Sequence, residues 1–159
     1  MTLYHGSNVE VKCPKIRKNL RALDFGAGFY LTSDRKQAER WARTVTKRRA
    51  SGAAMLNIYQ VDKERLSTIN VLKFETANAQ WLDYVVSNRK EQNFNNPYDL
   101  VIGPIANDST LQVIDDYMDG KYTKEEAVKR LLPQNLTDQY AFLTEKAIER
   151  LSFEGSETL

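Results

Sequence analysis

Apolar residues in this chain fall into short runs with two distinct periods, and the period sets the expected element. Thr2 to His5 is short and apolar enough for a strand. Residues 6 to 27 are polar and irregular, with Pro14 inside the stretch and Gly26 near its end. A loop of that length in a compact domain is usually functional or mobile. Gly28-Phe29-Tyr30-Leu31-Thr32 then reads as a strand rich in aromatic and branched types. Asp34 followed by Gln37 resembles a capping box, and Ala38, Trp41, Ala42 and Val45 recur on one helical face. Ser51-Gly52 closes that helix.

Met55 to Val61 and Ile69 to Phe74 read as strands. Trp81, Leu82, Val85 and Val86 mark a second amphipathic helix, and Tyr98 to Ile102 is a compact strand ended by Gly103-Pro104. Leu111, Ile114, Tyr117 and Met118 give a third helix, closed near Gly120. Thr123 with Glu126 caps a fourth, which carries Ala127, Val128, Leu131 and Leu132 inward. Gln139 to Leu143 is the last clear strand, and Thr144 caps a short closing helix that ends near Leu151. Strands and helices mix without strict alternation, which predicts an α+β fold and not a doubly wound parallel sheet. No repeat and no long linker divides the chain, so residues 1–159 read as one domain.

Composition narrows the class. Hydrophobic residues make up 42% and charged residues 28%, as in a soluble globular protein. One cysteine, Cys13, excludes an internal disulfide and fits a reducing compartment such as the cytoplasm. No apolar run approaches the roughly 20 residues that span a bilayer, and the N-terminus carries no secretion signal. A net charge of +2 demands no polyanionic partner. The charge is uneven, however: Arg35, Lys36, Arg40, Arg43, Lys47, Arg48 and Arg49 crowd one segment. That run reads either as a solvated helix face or as a contact for nucleic acid or an acidic protein.

Most familiar chemistries are excluded. One histidine and one cysteine cannot make the usual closed zinc site, so no metal is expected. No G-x-S-x-G elbow supports a serine triad, and no phosphate loop ending in GKS or GKT is present. No G-x-G-x-x-G follows a strand, so a nucleotide would bind by another device. Two groups at element ends remain: His5-Gly6-Ser7 where a strand runs out, and Gly26-Ala27-Gly28 entering a strand with two aromatics.

In order, these pieces resemble the ADP-ribosyltransferase superfamily, in the histidine-tyrosine-glutamate branch that includes diphtheria toxin and the poly(ADP-ribose) polymerases. Leu3-Tyr4-His5-Gly6-Ser7 is similar to the first motif of that branch, and Gly28-Phe29-Tyr30-Leu31-Thr32 to the second. Gln139-Tyr140-Ala141-Phe142 is similar to the third strand, where most members begin with glutamate. Thr144-Glu145-Lys146-Ala147 also resembles the diphtheria-type sequence. Trp41 stands where the family often has a second aromatic, eleven residues after the tyrosine. The chain as a whole resembles small bacterial proteins of unassigned function placed near this superfamily.

The resemblance implies split antiparallel sheets with NAD in the cleft between them. It implies that His5 bonds the adenine-side ribose, that the Gly6 backbone next to Ser7 pairs with the nicotinamide carboxamide, and that Tyr30 stacks on the nicotinamide ring. Trp41 would close the other face of that ring, and the loop running back from Phe25 to Ser7 would cover the ligand. NAD would serve as an ADP-ribose donor for a protein or nucleic-acid acceptor, as in a bacterial toxin with an antitoxin partner or a phage-defence effector. Gln139 takes the place of the glutamate that holds the ribose 2′-hydroxyl; an amide can do so without supplying a full charge. The same features allow a second reading, an inactive module that only binds NAD or ADP-ribose.

Overall fold

A computed structural model describes residues 1–17, 23–91 and 96–159. In chain order the elements are β1 (Thr2–Ser7), β2 (Phe29–Leu31), α1 (Arg35–Arg49), β3 (Met55–Val61), α2 (Lys63–Leu66), β4 (Val71–Lys73) and α3 (Ala79–Lys90). They continue as β5 (Leu100–Pro104), α4 (Asp108–Met118), α5 (Lys124–Leu131), β6 (Asp138–Phe142), α6 (Glu145–Ile148) and β7 (Leu151–Thr158). The α+β expectation holds. One sheet has the order β1-β3-β7 and the other β2-β6-β5-β4. Every pairing within them is antiparallel except β4 with β5, which is parallel. That corrects the expectation of purely antiparallel sheets. Two parallel neighbours need a long crossover, and α3 supplies it.

Local chemistry explains most boundaries. Asp34 accepts a hydrogen bond from the Gln37 backbone at the start of α1, and Thr123 with Glu126 forms a full capping box on α5. Thr144 caps α6 through the Ala147 backbone. The stop of α1 differs from expectation: Ala50 itself adopts the left-handed conformation, at φ 49°, ahead of Gly52. The predicted strand Ile69–Phe74 shrinks to β4: the Ile69 N–H is used in the turn after α2, on the Leu66 carbonyl, and the Phe74 N–H makes a closing bond to the Ile102 carbonyl of β5.

Two elements were not foreseen. Asp62 caps the single turn of α2. The chain from Leu151 forms a full edge strand, β7, where the closing helix was expected only to end. Its alternation of Leu151 and Phe153 with polar residues was visible, but Ser, Glu and Gly dilute it. Part of the long predicted loop also differs, since Ser7 belongs to β1, and residues 18–22 of it lie outside the described residues.

Two cores flank the second sheet. On one face Val101 and Ala141 pack with Trp81, Leu82 and Val85 of α3, Ile114 of α4 and Ala127 and Leu131 of α5. Trp81 is fully buried and donates its indole N–H to the Pro104 carbonyl at 3.0 Å. Leu132, expected inward, is 48% exposed because it lies past the buried face of α5. The opposite face contributes Phe29, Leu31, Leu100 and Phe142, which meet Leu3, Tyr59 and Val61 of the first sheet.

Helix α1 lies on β1 through Ala38, Ala42 and Val45. Trp41, read above as part of that apolar face, is instead 49% exposed. The contact is close enough to need a glycine. A Cβ on Gly6 would sit 2.1 Å from the Ala38 carbonyl oxygen and 2.7 Å from the Ala42 nitrogen. Gly6→Ala is therefore expected to force the helix off the strand and cost about 1–3 kcal/mol, the usual range for overpacking. Urea denaturation measures this directly, and an unchanged midpoint would show that α1 does not press on β1.

Candidate functional site

The two sheets join at one bridge among the described residues. Tyr4 donates to the Thr32 carbonyl at 2.9 Å, and Thr32 donates back to the Tyr4 carbonyl at 3.0 Å. In an antiparallel strand the N–H and C=O of one residue point to the same side and alternate along the chain. Tyr4 uses the β2 side, so the N–H and C=O of Gly6 also point there, past the bridge, along the edge that β2 leaves uncovered. Tyr30 stands in the corresponding place on β2. Its carbonyl bonds not to the β1 backbone but to His5 Nδ1, at 2.8 Å. The imidazole thus wedges the strands apart one step beyond the bridge.

The His5 ring is fixed in identity as well as place. A carbonyl oxygen can only accept, so Nδ1 carries the proton and, in the neutral ring, Nε2 is left as an acceptor. Burial pulls the His5 pKa below the ordinary 6.5 and outweighs the upward pull of the Tyr30 carbonyl; Arg49 lowers it further. Phe29 lies against the ring, with centroids 4.4 Å apart. The site therefore offers a neutral imidazole whose free nitrogen can receive a hydroxyl proton.

Tyr30 and Gln139 share one face of the second sheet. Tyr30 pairs with Ala141, and Gln139 lies two residues along the same strand. The Tyr30 hydroxyl donates to the Gly26 carbonyl at 2.5 Å and accepts from the Phe25 backbone N–H at 3.2 Å. Burial raises its pKa above the ordinary phenol value. Phe25 is fully buried, against Phe74, Tyr84 and the open Cα of Gly103, so its ring is a core group and has no exposed edge. Gln139 is 6% exposed, and its amide nitrogen has no partner among the described residues. An orphaned buried donor of this kind costs about 1–3 kcal/mol.

Asp138, the neighbouring carboxylate, belongs elsewhere. It is held by Thr32 Oγ1 at 3.1 Å, the Ser33 N–H at 2.9 Å and the Ser33 hydroxyl at 2.5 Å. It also lines a shallow groove of about 220 Å³ with Lys73, Ile102 and Tyr140, on the face away from Gln139. Ser7 is buried at the end of β1. Trp41 lies on α1, with the Arg48 guanidinium 5.4 Å over its ring. The structure therefore brings His5, Gly6 and the Tyr30 carbonyl together, with the His5 ring against Phe29, and sets Gln139 on the face of the Tyr30 ring.

Supporting residues escaped the sequence reading. Asn57, fully buried, accepts from the Val11 N–H at 2.7 Å and donates to the Val9 carbonyl at 3.2 Å, which pins the chain just after β1. Arg89 grips Asp24 at 2.6 Å, and Asn96 donates to the Phe25 carbonyl at 3.4 Å, so the turn under Tyr30 is held from both sides. A buried asparagine in a strand was the one available signal, since long-range pairs leave no periodicity.

The depressed His5 pKa has a measurable sign. Below pH 6.5 the unfolded chain takes up a proton that the folded imidazole refuses. Stability from this group is full above pH 6.5 and is lost as pH falls through the folded value. His5 is the only histidine, so its ring protons give one unambiguous NMR titration. The expected midpoint lies below 6.5; a midpoint at or above that value would mean a solvated, unwedged ring.

Among the described residues no cluster of histidine, cysteine, aspartate or glutamate could hold a metal ion. No described helix is long and apolar enough to cross a membrane. No curated protein matches the chain and no solved structure does. One family, described as "Protein of unknown function (DUF3990)", matches residues 1–153, nearly the whole chain. The chain belongs to that family.

Proposed function

We propose that this protein binds NAD where its two sheets diverge and transfers ADP-ribose to a macromolecular acceptor. The observation that carries the reading is the wedge: His5, the free backbone edge of Gly6 and Tyr30 meet one step past the Tyr4–Thr32 bridge. These residues are the ones that the resemblance to ADP-ribosyltransferases assigns to NAD, and each has the capacity its role needs. His5 Nε2 can accept a ribose hydroxyl. The Gly6 N–H and C=O can pair with a primary carboxamide, which has one acceptor and one donor edge. The ring of Tyr30 is the candidate for stacking on the nicotinamide, worth about 0.5–1.5 kcal/mol beyond area burial.

The chemistry is a substitution at the ribose carbon that carries nicotinamide. That carbon–nitrogen bond breaks, nicotinamide leaves with the electron pair, and the acceptor atom forms the new bond and loses its proton. Positive charge develops on the ribose, as in glycoside cleavage. Gln139 is the group on hand. Its carbonyl can accept the 2′-hydroxyl, and its orphaned N–H₂ gains a partner if an oxygen of the sugar comes within reach. It adds no negative charge, so the transition state would gain less here than from a carboxylate. That same observation favours a second reading, a module that binds NAD or ADP-ribose without turnover.

Nicotinamide release from NAD, with and without bacterial lysate, separates the readings. Release that needs lysate and is lost in Tyr30→Ala is the expected result, with thermal melts used to confirm that the variant folds. Gln139→Glu is expected to raise release at least about tenfold, since one charge at the site is worth more than 1.4 kcal/mol. Thermal stabilisation by NAD without any release would establish the binding module. No stabilisation at millimolar NAD would remove both readings, because a ligand shifts stability only by binding the native state.

A further inference from the structure

The exposed side of α1 carries a row of cations that the fold itself does not use. Lys36, Arg40, Arg43 and Lys47 are all exposed. At 3.6 residues per turn they fall within about 60° of one another and cover about 16 Å of helix length. Ala38, Ala42 and Val45, which bury against β1, lie on the opposite side. No carboxylate pairs with any of the four among the described residues, whereas Arg35 on the same helix is bound by Glu39 and Glu157. Elsewhere Lys12, Lys73, Arg89, Lys121, Lys124 and Lys146 each hold a carboxylate, whereas Lys63, Lys90 and Lys129 hold none among the described residues but are scattered over three helices. Like charges three and four residues apart weaken a helix. An opposing polyanion would relieve the repulsion along the row.

We infer that α1 is a docking surface for single-stranded nucleic acid, whose phosphates run along the Lys36–Arg40–Arg43–Lys47 row. Trp41 selects the single strand over the duplex. It lies on the side of α1, about 100° around the helix from Arg40 at the near edge of the row, is 49% exposed, and already carries the Arg48 guanidinium on its ring. An unpaired base can stack on such a ring, whereas a duplex keeps its base faces covered. The helix also touches the site directly, because Ala38 and Ala42 press on Gly6. The row itself faces away from β1, so α1 stands between the bound phosphates and the sheet junction. The single strand's role as acceptor of ADP-ribose rests on the proposed function, but its binding rests on α1 alone.

The test is fluorescence anisotropy of the full chain, without NAD, on labelled single-stranded RNA and DNA 12-mers. Duplex of the same length and polyglutamate serve as competitors. Four phosphate contacts give a slope of log affinity against log salt of about −2.8, or about 50-fold weaker binding at 200 mM than at 50 mM salt. The variant K36Q/R40Q/R43Q/K47Q is expected to flatten that slope. Trp41→Ala is expected to weaken single-strand binding at least about fivefold with the slope kept, because one stacked base is worth about 1–3 kcal/mol. The replaced side chains are exposed, so thermal midpoints should stay close to the parent.

A flat slope in the parent, or a quadruple variant that binds like the parent, overturns the proposal. So does duplex or polyglutamate competing as well as single strand. Nicotinamide release and NAD stabilisation are read separately, so a failed docking surface and a failed ADP-ribosyl transfer are distinct results.

Discussion

Two backbone hydrogen bonds between Tyr4 and Thr32 decide where the sheets of this protein meet, and the candidate site exists because the pairing stops there. Had β1 and β2 continued side by side, the Tyr30 carbonyl would have met a backbone N–H and Gly6 would have spent its own polar groups in the ladder. The imidazole of His5 takes that carbonyl instead. One side chain thereby converts a sheet into a cleft edge. The close seat of α1 on Gly6 fixes one face of β1, and β3 holds its other edge.

The electrostatics of the site follow from the same arrangement. His5 is kept neutral by burial, Gln139 is neutral by nature, and the carboxylate beside it in sequence, Asp138, is tied to Thr32 and Ser33 on the opposite face of its strand. The centre is polar without being charged. Its formal charges lie outside it, concentrated on α1. A site built this way can grip hydroxyls and amides closely while leaving long-range attraction to the helix beside it.

Local chemistry made much of this legible in the sequence. Strand β3 begins and ends at Met55 and Val61 as its pattern indicates, and the caps at Asp34, Thr123 and Thr144 mark three helix starts. His5, Gly6 and Tyr30 were singled out through the resemblance, since each on its own is an ordinary strand or turn residue. Trp41 misled the reading, because a helical repeat fixes which residues share a stripe but not how wide the buried stripe is. The glycine at position 6 is required by α1, which fills its Cα side, and no sequence signal showed that contact. Phe25 was expected over the ligand and is a core ring. Asn57, Arg89 and Asp24 stayed hidden, since their partners are distant in sequence and only the tertiary structure pairs them.

The order of strands in the first sheet has a consequence for how the chain acquires its shape. Residues 2–7 and 151–158 both pair with the strand at 55–61, and Leu3 reaches its core beside Ile148. During synthesis the early strand and the central one can pair, but one edge of the central strand stays bare until residue 151 has emerged. Contacts so far apart in sequence form slowly, and a bare edge invites foreign strands. The sheet that carries His5 is thus sealed last, and the nascent chain stays exposed at that edge until translation has passed residue 151.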